Sequence, residues 1–521
     1  MALDPSFRSR LRDAIRQSVR NPAGAGSPDA ANPSEAGSHE QRAEPRYEVE
    51  SDTSTHADAQ AAWIAEQLGG WWQRDGAGVC LVVDREYAAD RAHGHGDVGS
   101  YADALSRHHH GLHQFDGRPG PADPRTLFSD LDDSIPSDPT SDLGPRTPDY
   151  VTSSRATPDS GLRTPDDPDQ FLFFDLETTG LSGGAGTCAF LIGYGWFEGA
   201  RFRTRQYFLG GYGHEAAMLR MAGEKVAGAT LLSFNGKTFD VPLIEGRYLF
   251  HRVPSPFDGL PHIDLLHPAR RLWRHRPADA SAASRPRNDA FEQYFRMTRP
   301  AAGNRRFDVS ARAASCALGA LEEAVLGFRR TGDVPGGEIP GRYFQYVRSG
   351  DVRPLAPVLE HNRLDLLSLA AVTSVVARML EEGPLATRNA HECLALGRLY
   401  EHSGAGDRAT ACYTRAIENE DTPAWRADPF VQREALRRLA LRHRREHQYD
   451  DAAAAWQRML DVAPDVEALH ALAVHHEHRS KDLSTARALV LRALAATGDG
   501  RQEESLRHRL ARIERKLAVG S

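Results

Sequence analysis

The sequence predicts an α/β domain with a mixed sheet flanked by helices, followed by an all-α repeat domain. Three observations carry this expectation. Residues 171–250 read as an antiparallel hairpin of apolar strands followed by βα alternation. Residues 386–497 read as helix throughout and repeat one pattern. Residues 111–170 are so rich in Pro and Asp that they separate folded regions rather than form one.

Length and composition bound the remaining possibilities. A chain of 521 residues suggests three or so folded units at roughly 100–200 residues each. The formal net charge is −7, and the 111–170 segment alone, with twelve Asp against five Arg, carries −7. Everything outside it sums to zero, which excludes a uniformly basic nucleic-acid coat. No uncharged apolar run approaches the ~18 residues of a membrane span, so no membrane partner is expected. The opening Met1-Ala-Leu-Asp-Pro-Ser has no apolar signal-peptide core, so secretion is not expected. Cys80, Cys188, Cys316, Cys393 and Cys412 lie far apart, with no C-x-x-C, which argues against disulfide or zinc scaffolds and fits a cytoplasmic location.

The elements follow in order. Residues 1–60 read as mostly disordered, with one short basic amphipathic helix in which Phe7, Leu11, Ile15 and Val19 share a face; it reads as a solvated or docked helix. Residues 61–110 form a small accessory segment with a helical start at Ala61, a buried strand at Val79–Val83, and a flexible His-rich loop around His93, His95 and His108–His110. The Asp/Pro-rich linker occupies 111–170. The main domain, 171–381, has strands at Phe171, Cys188, Arg201 and Thr230, with a hairpin signal at Glu198-Gly199-Ala200. Helices are expected over Glu215–Val226, Phe239–Phe250 and Leu355–Leu380. In 386–497, Ala409-x-x-Cys412-Tyr413-x-x-Ala416 matches Ala452-x-x-Ala455-Trp456-x-x-Met459 and Ala486-x-x-Leu489-Val490-x-x-Ala493. The intervals are 43 and 34, the second being the tetratricopeptide period. Such pairs either present a concave groove to a protein partner or pack as a helical cap. Residues 498–521 are a C-terminal helix or tail.

The chemistry is concentrated in three segments. In Asp175-Leu-Glu177-Thr178-Thr-Gly180, residues i and i+2 of a strand point to one face, so two carboxylates stand side by side after four apolar residues. They repel unless the strand end reaches solvent or a divalent cation lies between them. Asn235-Gly-Lys237-Thr-Phe-Asp240 follows a strand and opens a helix, where Asp240 is either a functional acid or a first-turn helix acid. In Glu360-His361-Asn-Arg-Leu-Asp365, His361 and Asp365 lie one helical turn apart on one face, as a local surface pair or as groups at a core edge.

This constellation resembles the DEDD superfamily of 3′–5′ exonucleases, which share the ribonuclease H-like fold, and more closely the bacterial YprB-type ribonuclease H-like proteins. The likeness covers roughly residues 170–380 and extends to Ile263-Asp-Leu-Leu-His, Ser315-Cys-Ala-Leu-Gly and Ile339-Pro-Gly-Arg-Tyr-Phe, with a less specific likeness over 68–91. The resemblance implies two divalent cations, Mg²⁺ or Mn²⁺. Asp175, Glu177 and Asp365 would hold the first, Asp175 would bridge to the second, Asp240 would support it, and His361 would be the general base. His361 precedes Asp365 by four positions, the spacing of the tyrosine subclass, whereas the histidine subclass uses five.

The expected substrate is single-stranded DNA or RNA, with Thr178, Gly180, Asn235 and Lys237 near the terminal nucleotide. Between Arg270 and Arg312 eleven Arg and four acids alternate with Trp273, Phe291, Tyr294, Phe295 and Phe307. That mixture can follow phosphates and stack bases. Asp264 either serves the site or caps the helix that follows it. The alternatives to an exonuclease are a nucleic-acid-binding scaffold whose repeats recruit a protein, and an endonuclease acting on RNA–DNA hybrids.

Overall fold

The computed structural model describes residues 52–76, 78–115, 171–180, 186–274, 316–418, 425 and 428–520. The expectations for the N-terminal basic helix, for most of the linker and for the Arg-rich run beyond Arg274 fall outside the described residues. The chain divides into two compact units.

Among the described residues, the first unit draws on 52–76, 78–89, 171–180, 186–263 and 330–369. Its center is a seven-stranded mixed sheet with strand order β1-β2-β7-β6-β5-β8-β9. The strands are β1 (Trp71–Asp75), β2 (Gly78–Tyr87), β5 (Phe171–Thr178), β6 (Ala189–Glu198), β7 (Arg201–Phe208), β8 (Thr230–Ser233) and β9 (His262–Asp264). All pairings from β1 to β5 are antiparallel, and β8 runs parallel to β5. The β6–β7 hairpin closes through Gly199-Ala200, with Gly199 at φ 59°. A two-residue turn of that hand is what the flanking twist favours.

Residues 71–87, expected within a small accessory segment, instead supply two strands of the main sheet. Val82 and Val83 of β2 stand opposite Tyr207 and Gln206 of β7 and are fully buried.

The helices of this unit bury both faces of the sheet, which is why β5 and β6 read as near-continuous apolar runs rather than alternating ones. α1 (Asp52–Leu68) leads into β1. α3 (Glu215–Glu224) buries Ala217, Met218, Leu219, Met221 and Ala222, and comes so close to β2 that a Cβ on Gly78 would lie 2.2 Å from the Ala217 Cβ. α4 (Asp240–Phe250) follows β8. α7 (Ile339–Ser349) stacks Tyr343 on Phe190, with centroids 4.2 Å apart and an interplanar angle of 12°. The Tyr343 hydroxyl donates to the Leu209 carbonyl at 3.1 Å. α8 (Ala356–Glu382) contributes its residues up to Leu369 to this unit, with Val358 and Leu359 in the core.

The second unit is predominantly helical. The short strands β3 (Ala92–His93) and β4 (Gly96–Asp97) form a two-residue ladder ahead of α2 (Val98–His108). The His-rich stretch is ordered here rather than a flexible loop. His93 is buried with its ring 4.1 Å from that of Phe328, and its carbonyl accepts the Tyr101 hydroxyl at 2.7 Å. α5 (Leu266–Trp273) begins where Asp264 accepts the Leu266 N–H at 3.1 Å, and α6 (Leu318–Leu321) follows. Asp264 thus serves a helix start.

Three helical pairs succeed one another: α9 (Ala390–His402) with α10 (Gly406–Ala416), α11 (Pro429–Arg445) with α12 (Tyr449–Val462), and α13 (Val466–His478) with α14 (Leu483–Ala496). The repeated positions fall in the second helix of each pair and are buried every time: Ala409, Cys412, Tyr413 and Ala416; Ala452, Ala455, Trp456 and Met459; Ala486, Leu489, Val490 and Ala493. α15 (Gly500–Gly520) closes the array. Among the described residues, no helix is long and apolar enough to cross a membrane.

Candidate metal centre

The site is built on the first unit. Asp175 lies on β5 opposite Gly193 of β6, which lies opposite Gln206 of β7. These three residues form one row across the sheet. Gly193 is required there. A Cβ at this position would lie 2.1 Å from the Asn362 Oδ1, so only a bare backbone lets α8 come down over the row. Asn362, fully buried, uses both ends of its amide. Its Nδ2 donates to Asp175 Oδ2 at 2.7 Å, and its Oδ1 accepts from Gln206 Nε2 at 2.8 Å. Gln206 also donates to the Leu359 carbonyl at 2.8 Å and accepts from Arg363 Nη1 at 3.1 Å. A fully satisfied buried network of this kind fixes the rotamer of the carboxylate it ends on.

Two residues along β5, the register with β6 shifts between Glu177 and Thr178. Such an irregularity re-aims side chains at a sheet end. Glu177 is only 9% exposed. One ligand atom each from Glu177, His361 and Asp365 lies within 4.8 Å of the others. His361 and Asp365 occupy one face of α8, with Nε2 3.3 Å from Asp365 Oδ2. Asp240 opens α4, after a turn in which Asn235 adopts φ 68°. Its Oδ2 is 3.3 Å from where a Cβ on Gly236 would stand.

The electrostatics follow from this crowding. Burial first, then the charges of Asp365, Glu177 and Asp240, push the Asp175 carboxyl well above its ordinary value, against the lowering effect of the Asn362 hydrogen bond. Burial, then Asp365, Asp240 and Asp333, do the same to Glu177, against the attraction of Arg330. Asp175 and Glu177 therefore each feel the charges of both Asp240 and Asp365. Desolvated carboxylates in mutual repulsion are stabilised by a hard divalent cation, and a set made mostly of carboxylate oxygens suits Mg²⁺ or Mn²⁺. The residues fit such a group.

The remaining expected residues are placed around this cluster. Thr178 donates its hydroxyl to the Gly180 carbonyl at 2.9 Å, which shapes the turn after β5. Asn235 provides the turn after β8, its carbonyl accepting the Thr238 N–H at 3.2 Å. Lys237 is half-buried. Burial and then the Lys237 charge lower the nearby His262 imidazole to about 3, and His262 Nε2 lies 2.7 Å from the Ser233 hydroxyl.

Sequence reasoning missed three residues here. Arg330, with a side chain 9% exposed, pairs with Asp365 and reaches Asp333 Oδ2 at 3.2 Å. Asp333 Oδ1 lies 2.7 Å from His361 Nδ1. Burial acts to raise the Asp333 carboxyl, but the His361 hydrogen bond and the charges of His361 and Arg330 hold it below its ordinary value. Neither residue lies in a periodic element. Asn362, between His361 and Arg363, lies in the same polar run and had no signal of its own.

Residues 172–283 and 289–377 match the family model described as the RNase_H superfamily. The chain is also 28% identical over 355 residues to the "Uncharacterized protein YprB" of Bacillus subtilis (strain 168), an alignment that spans 66% of this chain and 75% of that protein. The seven-stranded mixed sheet flanked by helices, together with the family match across it, identifies the fold of this domain as ribonuclease H-like, followed by an all-helical C-terminal region.

Proposed function

We propose that this protein is a metal-dependent 3′–5′ exonuclease that hydrolyses phosphodiester bonds of single-stranded nucleic acid. The match to the RNase_H superfamily supports nuclease chemistry. The single observation that carries the finer reading is the electrostatic cluster of Asp175, Glu177, Asp240 and Asp365 beside His361, drawn from β5, α4 and α8.

In this reading Asp175, Glu177 and Asp365 would hold one divalent cation, and Asp175 with Asp240 would hold a second. The chemistry a Mg²⁺ or Mn²⁺ pair supplies when bound is charge relief on the phosphate and acidification of the attacking water. His361 takes the proton of that water at Nε2. Water oxygen bonds to phosphorus, the bond to the leaving 3′ oxygen breaks, and that oxygen acquires a proton. Thr178, Gly180, Asn235 and Lys237 flank the cluster and contact the terminal nucleotide, with Lys237 supplying a cation for its phosphate. A polar, half-exposed rim around a buried acidic floor suits an end that enters and leaves at each turnover. The helical pairs, with their repeated buried positions, support a tetratricopeptide-like array that engages a protein partner.

The test is digestion of matched DNA and RNA oligonucleotides labelled at either end, with Mn²⁺ and with chelator. Mononucleotide release from the 3′ end, dependent on the cation, is the expected result. Cleavage confined to the interior of RNA–DNA hybrids would replace the exonuclease with the endonuclease reading. Tight binding without any cleavage would replace it with the scaffold.

A further inference from the structure

We propose that Asp333 is a positioning residue that fixes the orientation and tautomer of His361, so that Nε2 is the nitrogen turned toward Asp365 and Glu177. This rests on the nuclease reading above and names a residue that reading does not use.

An imidazole has two ring nitrogens, and an unguided ring can turn either toward a substrate. A carboxylate only accepts hydrogen bonds. Asp333 Oδ1 at 2.7 Å from His361 Nδ1, nearer than Arg330 Nη1 at 3.4 Å, therefore keeps a proton on Nδ1 and commits the ring plane. On the far side of the ring, Nε2 faces Asp365 Oδ2 at 3.3 Å. The base in an active site is commonly oriented by such a third group. An outer carboxylate that holds an imidazole by its distal nitrogen is also a recurring device at metal centres.

Asp333 is itself held. Its Oδ1 accepts the Val334 N–H at 2.9 Å, its Oδ2 receives Arg330 Nη1 at 3.2 Å, and Val334 is buried in the core of the unit. Its position is thus set by packing rather than by a freely moving loop side chain. The same Arg330 guanidinium also pairs with Asp365. Asp333, His361, Asp365 and Arg330 consequently form a closed ring of contacts. Displacing Asp333 lets the imidazole rotate about its own side-chain torsions without unfolding anything.

Two measurements test this. The first needs no activity: long-range ¹H–¹⁵N correlation spectra of histidine-labelled protein, with His361 assigned by its loss in His361→Gln. Wild type should show His361 protonated at Nδ1. Asp333→Ala should shift His361 toward Nε2 protonation, and Asp333→Asn, which keeps an acceptor oxygen, should restore the wild-type pattern. An unchanged His361 spectrum in Asp333→Ala would overturn the proposal.

The second is kinetic. Asp333→Ala should lower kcat about 10- to 100-fold with KM little changed, the usual scale for removing an outer-sphere partner. It should add no further loss in a His361→Ala background. A multiplicative loss in that background, or loss of Mn²⁺ affinity matching Asp175→Asn, would make Asp333 a ligand in its own right and sink the positioning role. A wild type that releases no nucleotide would remove the nuclease reading alone, because the imidazole spectra would still decide what Asp333 does.

Discussion

Asn362 donates to Asp175 across 187 positions of sequence, and it reaches that carboxylate only because Gly193 leaves its path open. Helix α8 and strand β5 are therefore coupled at the Asp175 end of the sheet through one amide and one missing methyl group. Gly193→Ala should push Asn362 off the row and free the Asp175 carboxylate to rotate. The expected result is a large loss of cleavage with the far-ultraviolet circular dichroism of wild type. Asn362→Leu should be worse for stability, since Gln206 Nε2 loses its Asn362 acceptor in a buried setting and keeps the Leu359 carbonyl alone, at a cost of about 1–3 kcal/mol. A wild-type rate in Gly193→Ala would mean that Asn362 does not orient Asp175.

Asp175→Asn removes charge from the most crowded position of the cluster. Nucleotide release in Mn²⁺ should be abolished. The melting temperature in chelator should not fall, because the change relieves repulsion from Asp365, Glu177 and Asp240. The stabilisation that Mn²⁺ confers on wild type should shrink at the same time. A fully active Asp175→Asn would refute the metal assignment.

The same repulsion sets a pH dependence. Asp175 and Glu177 both have folded-state values raised above those of the unfolded chain. The native state then holds more protons than the unfolded state, so stability falls as pH rises. For the metal-free protein this loss begins above the ordinary carboxylate value of about 4 and continues through the raised values. The difference in melting temperature between Asp175→Asn and wild type should therefore widen between about pH 5 and about pH 8 in chelator, and narrow again when Mn²⁺ is added. Differential scanning calorimetry across that range checks the sign. A difference that does not change with pH would show that the two carboxyls are not raised.

Arg330 neutralises charge in this cluster from a buried position. Arg330→Gln should lower the melting temperature in chelator, because Asp333 and Asp365 lose their cation. It should also strengthen Mn²⁺ binding, because the guanidinium then no longer competes for Asp365. Titration calorimetry reads the second effect; weaker binding would mean that Arg330 helps to build the cation site.

What was legible in the sequence had a period. Asp175 and Glu177 could be paired because strand side chains alternate, and His361 and Asp365 because a helix returns after one turn. Asp240 could be placed because a strand and a tight turn precede it. Arg330 and Asp333 could not. They precede the Pro335-Gly-Gly run and have no repeating neighbours, so their meeting with α8 is visible only in the fold. The same holds for β2: Asp84 binds Arg205 through two hydrogen bonds across 121 positions, and no local pattern announces that the early strands join the main sheet. The helical pairs were legible at their buried positions, where small and aromatic residues recur, but not at Glu477, whose arginine and lysine partners lie in the last helix.

Glu477 offers a test of how that last helix is held. Its carboxylate, with no side-chain exposure, accepts from Arg509 at 2.8 Å, from Arg512 at 2.6 and 2.8 Å, and from Lys516 at 2.7 Å. Burial alone would raise this acid. The hydrogen bonds from Arg512 and Lys516 outweigh that and lower it to about 2. A depressed value contributes stability that is present above the unfolded value of about 4.3 and is lost as pH falls toward the folded one. Acidification should therefore release α15 between about pH 4 and about pH 2. Glu477→Gln should release it already at neutral pH. That substitution leaves three cations without their anion, at about 3 kcal/mol after allowing for the partial exposure of Arg512 and Lys516. Hydrogen exchange resolved by peptide over 500–520 checks both. Protection of that segment unchanged in Glu477→Gln would show that apolar contacts such as Leu506 and Ile513, not the ion cluster, hold the helix in place.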